Sequence, residues 1–244
     1  RLEVKDTKVT DENYYMLTLA AVAKELKIRG KKTAHVLLAV GLPLTRFGDE
    51  KKDFVSYLSK KKEVSFAFEK EKYHIFIENV CVYPQCYAAV IDRIDKFPEK
   101  QLVVDIGSWT VDIMPIINHL PDESVCVTQP HGIITCIQQI NKECVRQLNA
   151  EVDEYDIQKV MVNGGDGLPE KYREIIIKEI RAYCQQIYHN IRELGYNMDL
   201  TQIIFVGGGA GVMKRFGGFG QGNIQYIEDV RANAKGYAML GSAY

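Results

Sequence analysis

The sequence predicts an α/β fold in which mixed β-sheets are flanked by helices. Short apolar segments of strand length, such as residues 203–206, alternate with longer segments whose apolar residues recur at helical spacing. Local hairpin patterns, such as the one around Gly107-Ser108, add antiparallel pairs to the sheets. The 244 residues, 46% hydrophobic and 26% charged, have the composition of an ordinary globular protein with one large or two modest domains.

The first part of the chain predicts three strands and three helices. The expected strands span residues 35–40, 63–69 and 72–82, and the expected helices span 11–28, 47–58 and 84–94. Thr10 or Asp11 is expected to cap the first helix. The continuous apolar run at 35–40 predicts a buried parallel strand. Pro84 is expected to open the third helix, because proline is tolerated in a first helical turn.

The rest of the chain continues the alternation. Paired strands are expected on either side of Gly107-Ser108, and Val125 and Val127 are expected to mark a further strand. The expected helices span residues 133–148, 152–162 and 170–193, and a buried strand is expected at 203–206. The residues around Phe97-Pro98 are a candidate domain boundary.

The stretch from Val103 to Ile113 carries the clearest functional signal. An apolar run leads to Asp105, a small Gly107-Ser108 turn follows, and the chain enters a second apolar run through Thr110. This pattern predicts a tight hairpin whose backbone N–H groups can bind phosphate oxygens, while the carboxylate can hold a metal ion through water. An ordinary hairpin with a solvated aspartate would show the same pattern.

A glycine-rich segment follows the strand at 203–206. Gly207, Gly208 and Gly209 come directly after the strand, before Ala210. Consecutive glycines let the backbone approach a ligand closely, and the N–H groups of a following helix can face that ligand. The alternative is a flexible glycine-rich turn. The spacing fits neither a Rossmann fingerprint nor a P-loop.

Charge and composition exclude several classes of partner. A net charge of −1 gives no electrostatic attraction to nucleic acid, so no direct nucleic-acid contact is expected. No stretch approaches the roughly 20 apolar residues of a membrane span, so no membrane partner is expected. The six cysteines form no Cys-x-x-Cys pair and have no histidine at metal-ligand spacing, which favours reduced cysteines in a cytoplasmic protein.

Taken in order, these segments resemble the nucleotide-binding superfamily of actin, the heat-shock-70 proteins and the sugar kinases. Residues 105–110 match its second phosphate-binding hairpin, and residues 206–210 match the glycine motif that holds the adenosine. Residues 233–238 are similar to the second connecting helix at the interdomain hinge. Within the superfamily, residues 11–26 and the turn at 41–43 most resemble the ParM (StbA) type of bacterial actin-like plasmid-segregation ATPases.

The resemblance implies an actin-like, ribonuclease H-like fold of two lobes. Residues 1–99 would form the remainder of the first lobe, residues 100–225 the second lobe, and residues 226–244 a C-terminal helix that returns to the first. The superfamily begins with an Asp-x-Gly phosphate hairpin, and the sequence from Arg1 onward offers no such segment. The first lobe is therefore expected to be incomplete at its N-terminus, and this 244-residue form is expected to bind ATP weakly and to be inactive.

ATP or ADP and Mg²⁺ are the cofactors that the resemblance implies. Asp105 would act in catalysis by holding the metal ion through water. The residues implied to bind the nucleotide are Gly107, Ser108, Trp109 and Thr110 at the phosphates, and Gly207, Gly208, Gly209 and Ala210 at the adenosine. Trp109 departs from the family, which more often has a small residue or threonine there, so its ring must find space at the cleft edge.

Gln85 is the candidate for orienting the attacking water. The family places that residue at the start of the helix that follows residues 80–84, where plasmid-segregation relatives often have glutamate and actins have glutamine. Because an amide takes up no proton at neutral pH, Gln85 would position water rather than act as a base. The alternative is an ordinary first-turn helix residue.

The function that the resemblance implies is a cytoskeletal ATPase of the bacterial cytoplasm. It would polymerise with itself into filaments in the presence of ATP and move plasmid DNA through an adaptor protein. One alternative is a small-molecule kinase or phosphatase of the same fold, for which the sequence shows no obvious substrate base. Another is a non-hydrolysing actin-like assembly protein.

Overall fold

The chain forms two compact units. The computed structural model describes residues 12–218, 220 and 222–243. Unit 1 contains the chain up to Gln85 together with the residues from Tyr237 onward, and unit 2 spans Cys86–Gly236. The divisions between these units lie at 85/86 and 236/237, and the expected lobe boundaries at 99/100 and 225/226 stay predictions. Residues 86–99 belong to unit 2, in which a Cβ at Gly236 would overlap the Ala88 carbonyl.

Unit 1 is a three-stranded sheet with helices packed on it. Its helices are α1 (Glu12–Ile28) and α2 (Leu44–Leu58), and its strands are β1 (Thr33–Leu42), β2 (Glu63–Phe68) and β3 (Glu71–Pro84). The central strand β3 pairs in parallel with β1 and antiparallel with β2. The core collects apolar side chains of α1, α2 and the strands around the fully buried Phe54 and Ile75. The two helices, the parallel pairing of β1 and the two later strands confirm the predictions, but the expected burial of residues 35–40 is wrong, since only Leu38 of them is buried. The expected caps Thr10 and Asp11 lie outside the described residues.

The prediction that Pro84 opens a helix through Ile94 is wrong. Pro84 ends β3, where it is paired with Leu42 of β1. The helix that follows, α3, spans only Tyr87–Val90 and continues as a 3₁₀ turn to Lys96. The reason lies at Cys86, whose left-handed backbone (φ 63°) redirects the chain after the strand and before the first helical turn.

Unit 2 is built on a six-stranded mixed sheet. Its strands are β4 (Lys100–Ile106), β5 (Val111–Ile117), β6 (Leu120–Pro121), β7 (Val127–Gln129), β8 (Gln202–Val206) and β9 (Ile224–Ile227), and its longer helices are α4 (Ile133–Leu148), α5 (Glu154–Asn163), α6 (Glu170–Glu193) and α7 (Ala210–Phe216). The strand order is β6-β5-β4-β8-β9, with β7 paired to β5. A last helix, α8 (Ala232–Ser242), begins in unit 2 and ends among residues of unit 1.

The packing of the unit 2 core explains the apolar pattern of its sequence. The inner strands β4 and β8 are buried along almost their whole length, which accounts for their continuous apolar sequences. Helices α4 and α6 place Ile140, Ile180 and Ile187 in the same core. The predicted helices at 133–148 and 170–193 are confirmed with the same bounds, and the predicted α/β class with mixed sheets is also confirmed.

One strand prediction in unit 2 is wrong, and two short strands were not predicted. Val125 lies in a 3₁₀ turn rather than in a strand, and only Val127–Gln129 pairs with β5. The short strands β6 and β9 were not predicted, because two and four residues give too little alternation to stand out. No helix in the described part of the chain is long and apolar enough to cross a membrane.

Candidate functional site

Asp105 is a buried carboxylate near the end of β4. Its neighbours across the sheet are Asp112 on β5 and Val206 on β8. Only 8% of the residue is exposed. Burial, which disfavours the charged form, and the nearby Asp112 carboxylate raise the pKa of Asp105 to about 6, against the opposing effect of a hydrogen bond from Asn233. A buried, ionisable oxygen pair of this kind is stabilised by any cation that comes near it.

Asn233, in the first turn of α8, links Asp105 to the start of unit 2. Its Nδ2 donates to Asp105 Oδ2 at 2.6 Å, and its Oδ1 accepts from the backbone N–H of Cys86 at 3.0 Å. The Cys86 thiol is buried in the same place and donates to the carbonyl oxygen of Asp112 at 3.8 Å. Burial and the Asp105 and Asp112 carboxylates hold the pKa of that thiol well above its usual range, so it stays neutral.

A second buried carboxylate, Asp112, ties the hairpin to the neighbouring strand. Its Oδ2 accepts from Thr110 Oγ1 at 3.0 Å and its Oδ1 accepts from Thr128 Oγ1 at 2.6 Å. Thr128 lies directly opposite Asp112 in the β5–β7 pair. Asp112 therefore has hydroxyl partners on both oxygens and fixes the start of β5, whereas Asp105 accepts its hydrogen bond from Asn233 on Oδ2.

The turn at residues 107–110 is held against the N-terminus of helix α4. The Gly107 N–H donates to the Thr110 carbonyl at 2.9 Å, which closes the hairpin. Three backbone N–H groups at the start of α4 donate to the other three carbonyls of the turn, those of residues 107–109. These bonds join Gly132 to Trp109, Ile133 to Gly107 and Ile134 to Ser108, at 3.1, 3.1 and 3.0 Å.

This arrangement directs a set of N–H groups away from the helix. In a trans peptide the C=O and the following N–H point in opposite directions. Because the carbonyls of Gly107, Ser108 and Trp109 face α4, the N–H groups of Ser108, Trp109 and Thr110 face the other way. Within the described residues, the Ser108 and Trp109 N–H groups donate to no protein acceptor. Successive free N–H groups on one side of a turn form an anion-binding nest.

Gly132 allows the hairpin to lie this close to the helix. A Cβ at this position would lie 2.5 Å from the Trp109 carbonyl carbon and 2.6 Å from that of Ser108. Any larger residue would therefore lift the turn off α4 and release the carbonyls that orient the nest. Trp109 is 45% exposed, so this residue of the turn lies at the surface of unit 2.

The glycine-rich segment after β8 packs beside Asp105. Gly207 has φ 84°, and a Cβ there would lie 2.5 Å from Asp105 Oδ1. A Cβ at Gly209 would overlap the Ile106 side chain, and the Gly209 N–H donates to the Ile106 carbonyl at 3.0 Å. Gly208 is exposed, whereas Ala210 is fully buried in the core of unit 2, so a ligand could reach Ala210 only through its backbone. The segment is thus a fixed turn against the Asp105 strand.

Gln85 lies in a different place from that expected. It is in the turn after β3, two residues before α3, and not in the first turn of a helix. Its backbone N–H donates to the Leu42 carbonyl at 2.9 Å, and the residue is half-buried. Gln85 is the last residue of unit 1 before the division, whereas Asp105, the turn at 107–110 and Gly207–Gly209 all belong to unit 2. The structure therefore groups the predicted phosphate and metal residues in one unit, without Gln85.

Several residues that build the site were missed from the sequence. The sequence predicts Asn233 only as part of a hinge helix, and it predicts no role for Asp112, Thr128 or Gly132. Gly132 stands directly before the helix pattern at 133–148, and that position could have identified it. The described residues contain no cluster of three or more histidine, cysteine or acidic side chains that could hold a metal ion without help from a ligand. All six cysteines are free.

Comparisons with known proteins identify actin-like families in both halves of the chain. Residues 1–87 match the family model described as "Actin like proteins N terminal domain", and residues 103–216 match "Archaeal actin homologue MreB-like, C-terminal". A search of curated protein sequences gave no match.

Solved actin homologues have the same fold. The archaeal actin homologue Ta0583 in complex with ADP superposes with a TM-score of 0.76 at 21% identity, over 97% of this chain and 80% of that one. Bacillus thuringiensis ParM with ATP gives a TM-score of 0.72 at 13% identity, over 99% and 77% of the two chains. The Alp12 filament structure gives 0.68 at 15% identity, over 98% and 77%. With an actin-like match in each half and the actin fold along its length, the chain belongs to the actin-like superfamily.

Proposed function

We propose that the protein is an actin-like ATPase that binds ATP or ADP with Mg²⁺ at the Asp105 site and polymerises with ATP into filaments. The observation that carries the proposal is the nest at Ser108–Thr110 beside a buried carboxylate. Phosphate oxygens are ligands that suit free backbone N–H groups. A metal ion bound to those phosphates supplies a positively charged partner for the Asp105 carboxylate.

Each part of the site has a separate task in this proposal. The N–H groups of Ser108 and Trp109 bind phosphate oxygens, and the hydrogen bonds to α4 keep them aligned before a nucleotide arrives. Asp105 holds Mg²⁺ through water, with its carboxylate oriented by Asn233. When bound, Mg²⁺ neutralises charge on the phosphates. Gly207–Gly209 give a narrow backbone surface for the adenosine, with Ala210 contributing backbone only.

The residues present fit a nucleotide with its metal ion. Asp105 accepts a hydrogen bond from Asn233 at Oδ2, and a Cβ on residue 207 would lie 2.5 Å from Oδ1. The absence of that Cβ leaves Oδ1 open to a water molecule that a metal ion holds. Gln85 remains the candidate for orienting the attacking water, from its place in the turn after β3. Ta0583 and ParM have been solved with ADP and ATP, which supports the same class of ligand here.

Filament formation and plasmid segregation complete the proposal. The Alp12 structure is a filament, and ParM proteins recur among the solved neighbours, which supports self-association of this chain. We propose that the partners are further copies of the chain and an adaptor protein bound to plasmid DNA, in the bacterial cytoplasm. The net charge of −1 favours contact with DNA through that adaptor rather than directly.

Nucleotide binding is tested by titration calorimetry of the full-length gene product with ATP, in Mg²⁺ and in EDTA. We expect binding that Mg²⁺ strengthens, and we expect Asp105→Asn to remove the strengthening. Asp153→Asn is the matched control, because Asp153 caps α5 through the Tyr155 N–H and asparagine caps a helix equally well. Equal Mg²⁺ dependence in wild type and Asp105→Asn would contradict the assignment.

Polymerisation is tested by high-speed pelleting and negative-stain microscopy with ATP. We expect filaments with ATP. Phosphate release that needs an added small-molecule substrate, without pelleting, would favour the kinase alternative. Pelleting without any ATP hydrolysis would favour a non-hydrolysing assembly protein.

A further inference from the structure

Asn233 has a bonding pattern that only an amide can satisfy. Its Oδ1 must face the Cys86 backbone, because the N–H there is a donor, and this leaves Nδ2 to donate to Asp105 Oδ2. An aspartate at 233 could still accept from Cys86, but it would place a second carboxylate against Asp105. The Cys86 N–H therefore fixes the orientation of the Asn233 side-chain amide, so that Nδ2 and not Oδ1 faces Asp105.

The groups on both sides of Asn233 are firmly held. Gly236, in the same first turns of α8, packs so closely on the Ala88 carbonyl that a Cβ would overlap it. Cys86 has its thiol buried against the Asp112 carbonyl, and its left-handed φ of 63° leaves the backbone little freedom. Unit 2 begins at Cys86 and ends at Gly236, so Asn233 lies where the chain enters and leaves the unit.

We propose that Asn233 is a positioning residue for the reaction: it fixes the Asp105 carboxylate in the orientation that holds Mg²⁺, relative to the two segments where the chain enters and leaves unit 2. The inference rests on the proposed nucleotide function. Asn233 holds the carboxylate by its Oδ2 atom, and the glycine at 207 leaves space beside Oδ1 that a Cβ would fill. Residues that orient a metal-binding carboxylate affect the metal-dependent step before they affect the fold.

The test compares variants of Asn233 for binding of ATP with and without Mg²⁺. We expect Asn233→Ala to raise the dissociation constant of MgATP roughly 10–100-fold, the usual cost of removing an outer-shell partner. Binding of ATP in EDTA should change less than about twofold, since Asp105 acts through the metal ion. In an Asp105→Asn background the same change should add almost nothing. Equal loss with and without Mg²⁺, or the same loss in both backgrounds, would overturn the proposal.

Two further variants separate positioning from a structural role. Asn233→Asp keeps the acceptor for the Cys86 N–H and removes the donor to Asp105, so slow hydrogen exchange at the Cys86 amide should persist while MgATP binding weakens. Asn141→Ala is the matched control, because Asn141 Oδ1 accepts from the Val152 N–H in unit 2, remote in sequence from the Asp105 network. It should lower stability without changing the Mg²⁺ dependence. A change in Mg²⁺ dependence equal to that of Asn233→Ala would overturn the proposal.

The inference and the proposed function can fail separately. If the wild-type protein binds no nucleotide, the proposed function fails, and the coupling of Asn233 to Asp105 is then measured by denaturant unfolding of the two single variants and the double variant. Non-additive changes together with faster exchange at the Cys86 amide in Asn233→Ala support the positioning contact. Additive changes overturn it.

Discussion

Replacement of Gly207 by alanine should damage the site and the fold together. The φ of 84° costs a non-glycine residue about 1–2 kcal/mol. The new Cβ would lie 2.5 Å from Asp105 Oδ1, so the carboxylate must turn away and lose the hydrogen bond from Asn233. A hydrogen bond to a charged group contributes about 1.5–3 kcal/mol. The free energy of unfolding should therefore fall by about 2.5–5 kcal/mol.

The neighbouring glycine gives the matched control for this change. Gly208 has no positive φ, and a Cβ there would meet its nearest atom, Val230 Cγ1, at 3.7 Å. Gly208→Ala should therefore change the free energy of unfolding by less than about 1 kcal/mol. Urea denaturation of both variants, followed by tryptophan fluorescence and circular dichroism, measures the difference. Equal stabilities for the two variants would refute the close packing of Asp105 against Gly207.

Three further predictions follow from the same structure. The native pKa of Asp105, about 6 against an ordinary 3.8, means that the folded protein keeps a proton that the unfolded chain releases, so wild-type stability should fall by about 2.5 kcal/mol as pH rises from 4 to 7. Asp105→Asn should lack this fall in pH-dependent denaturation and lose Mg²⁺-dependent turnover. Gln85→Ala should slow ATP hydrolysis strongly with little change in ATP affinity, so filaments should persist longer in light-scattering assays; an equal loss of affinity would give Gln85 a structural role. Gly236→Ala should lower the melting temperature sharply because of its overlap with the Ala88 carbonyl, whereas Gly48→Ala, with no atom within 4 Å of its Cβ, should not.

The sequence predicted the elements whose pattern is long or strongly apolar. Helix α6 was predicted with the same bounds because its buried residues repeat over 24 positions. The hairpin at Asp105 and the strand before Gly207 were predicted for the same reason, since buried inner strands are continuous apolar runs.

Features that depend on tertiary contacts could not be predicted. Proline is compatible with both a first helical turn and the end of a strand, and only the pairing of Pro84 with Leu42 decides between them. The role of Asn233 depends on a contact with Asp105 across 128 positions of sequence, and no local pattern indicates it. The anion nest could be anticipated from Gly107-Ser108, but its orientation comes from the three bonds to α4.

The most direct test of the account is a structure of the full-length gene product soaked or co-crystallised with MgATP or MgADP. We expect phosphate oxygens within hydrogen-bond distance of the Ser108 and Trp109 N–H groups, and a metal-bound water on Asp105 Oδ1, with Asn233 still bonded to Oδ2. A nucleotide bound elsewhere, or bound with the phosphates away from residues 108–110, would contradict the assignment of this site.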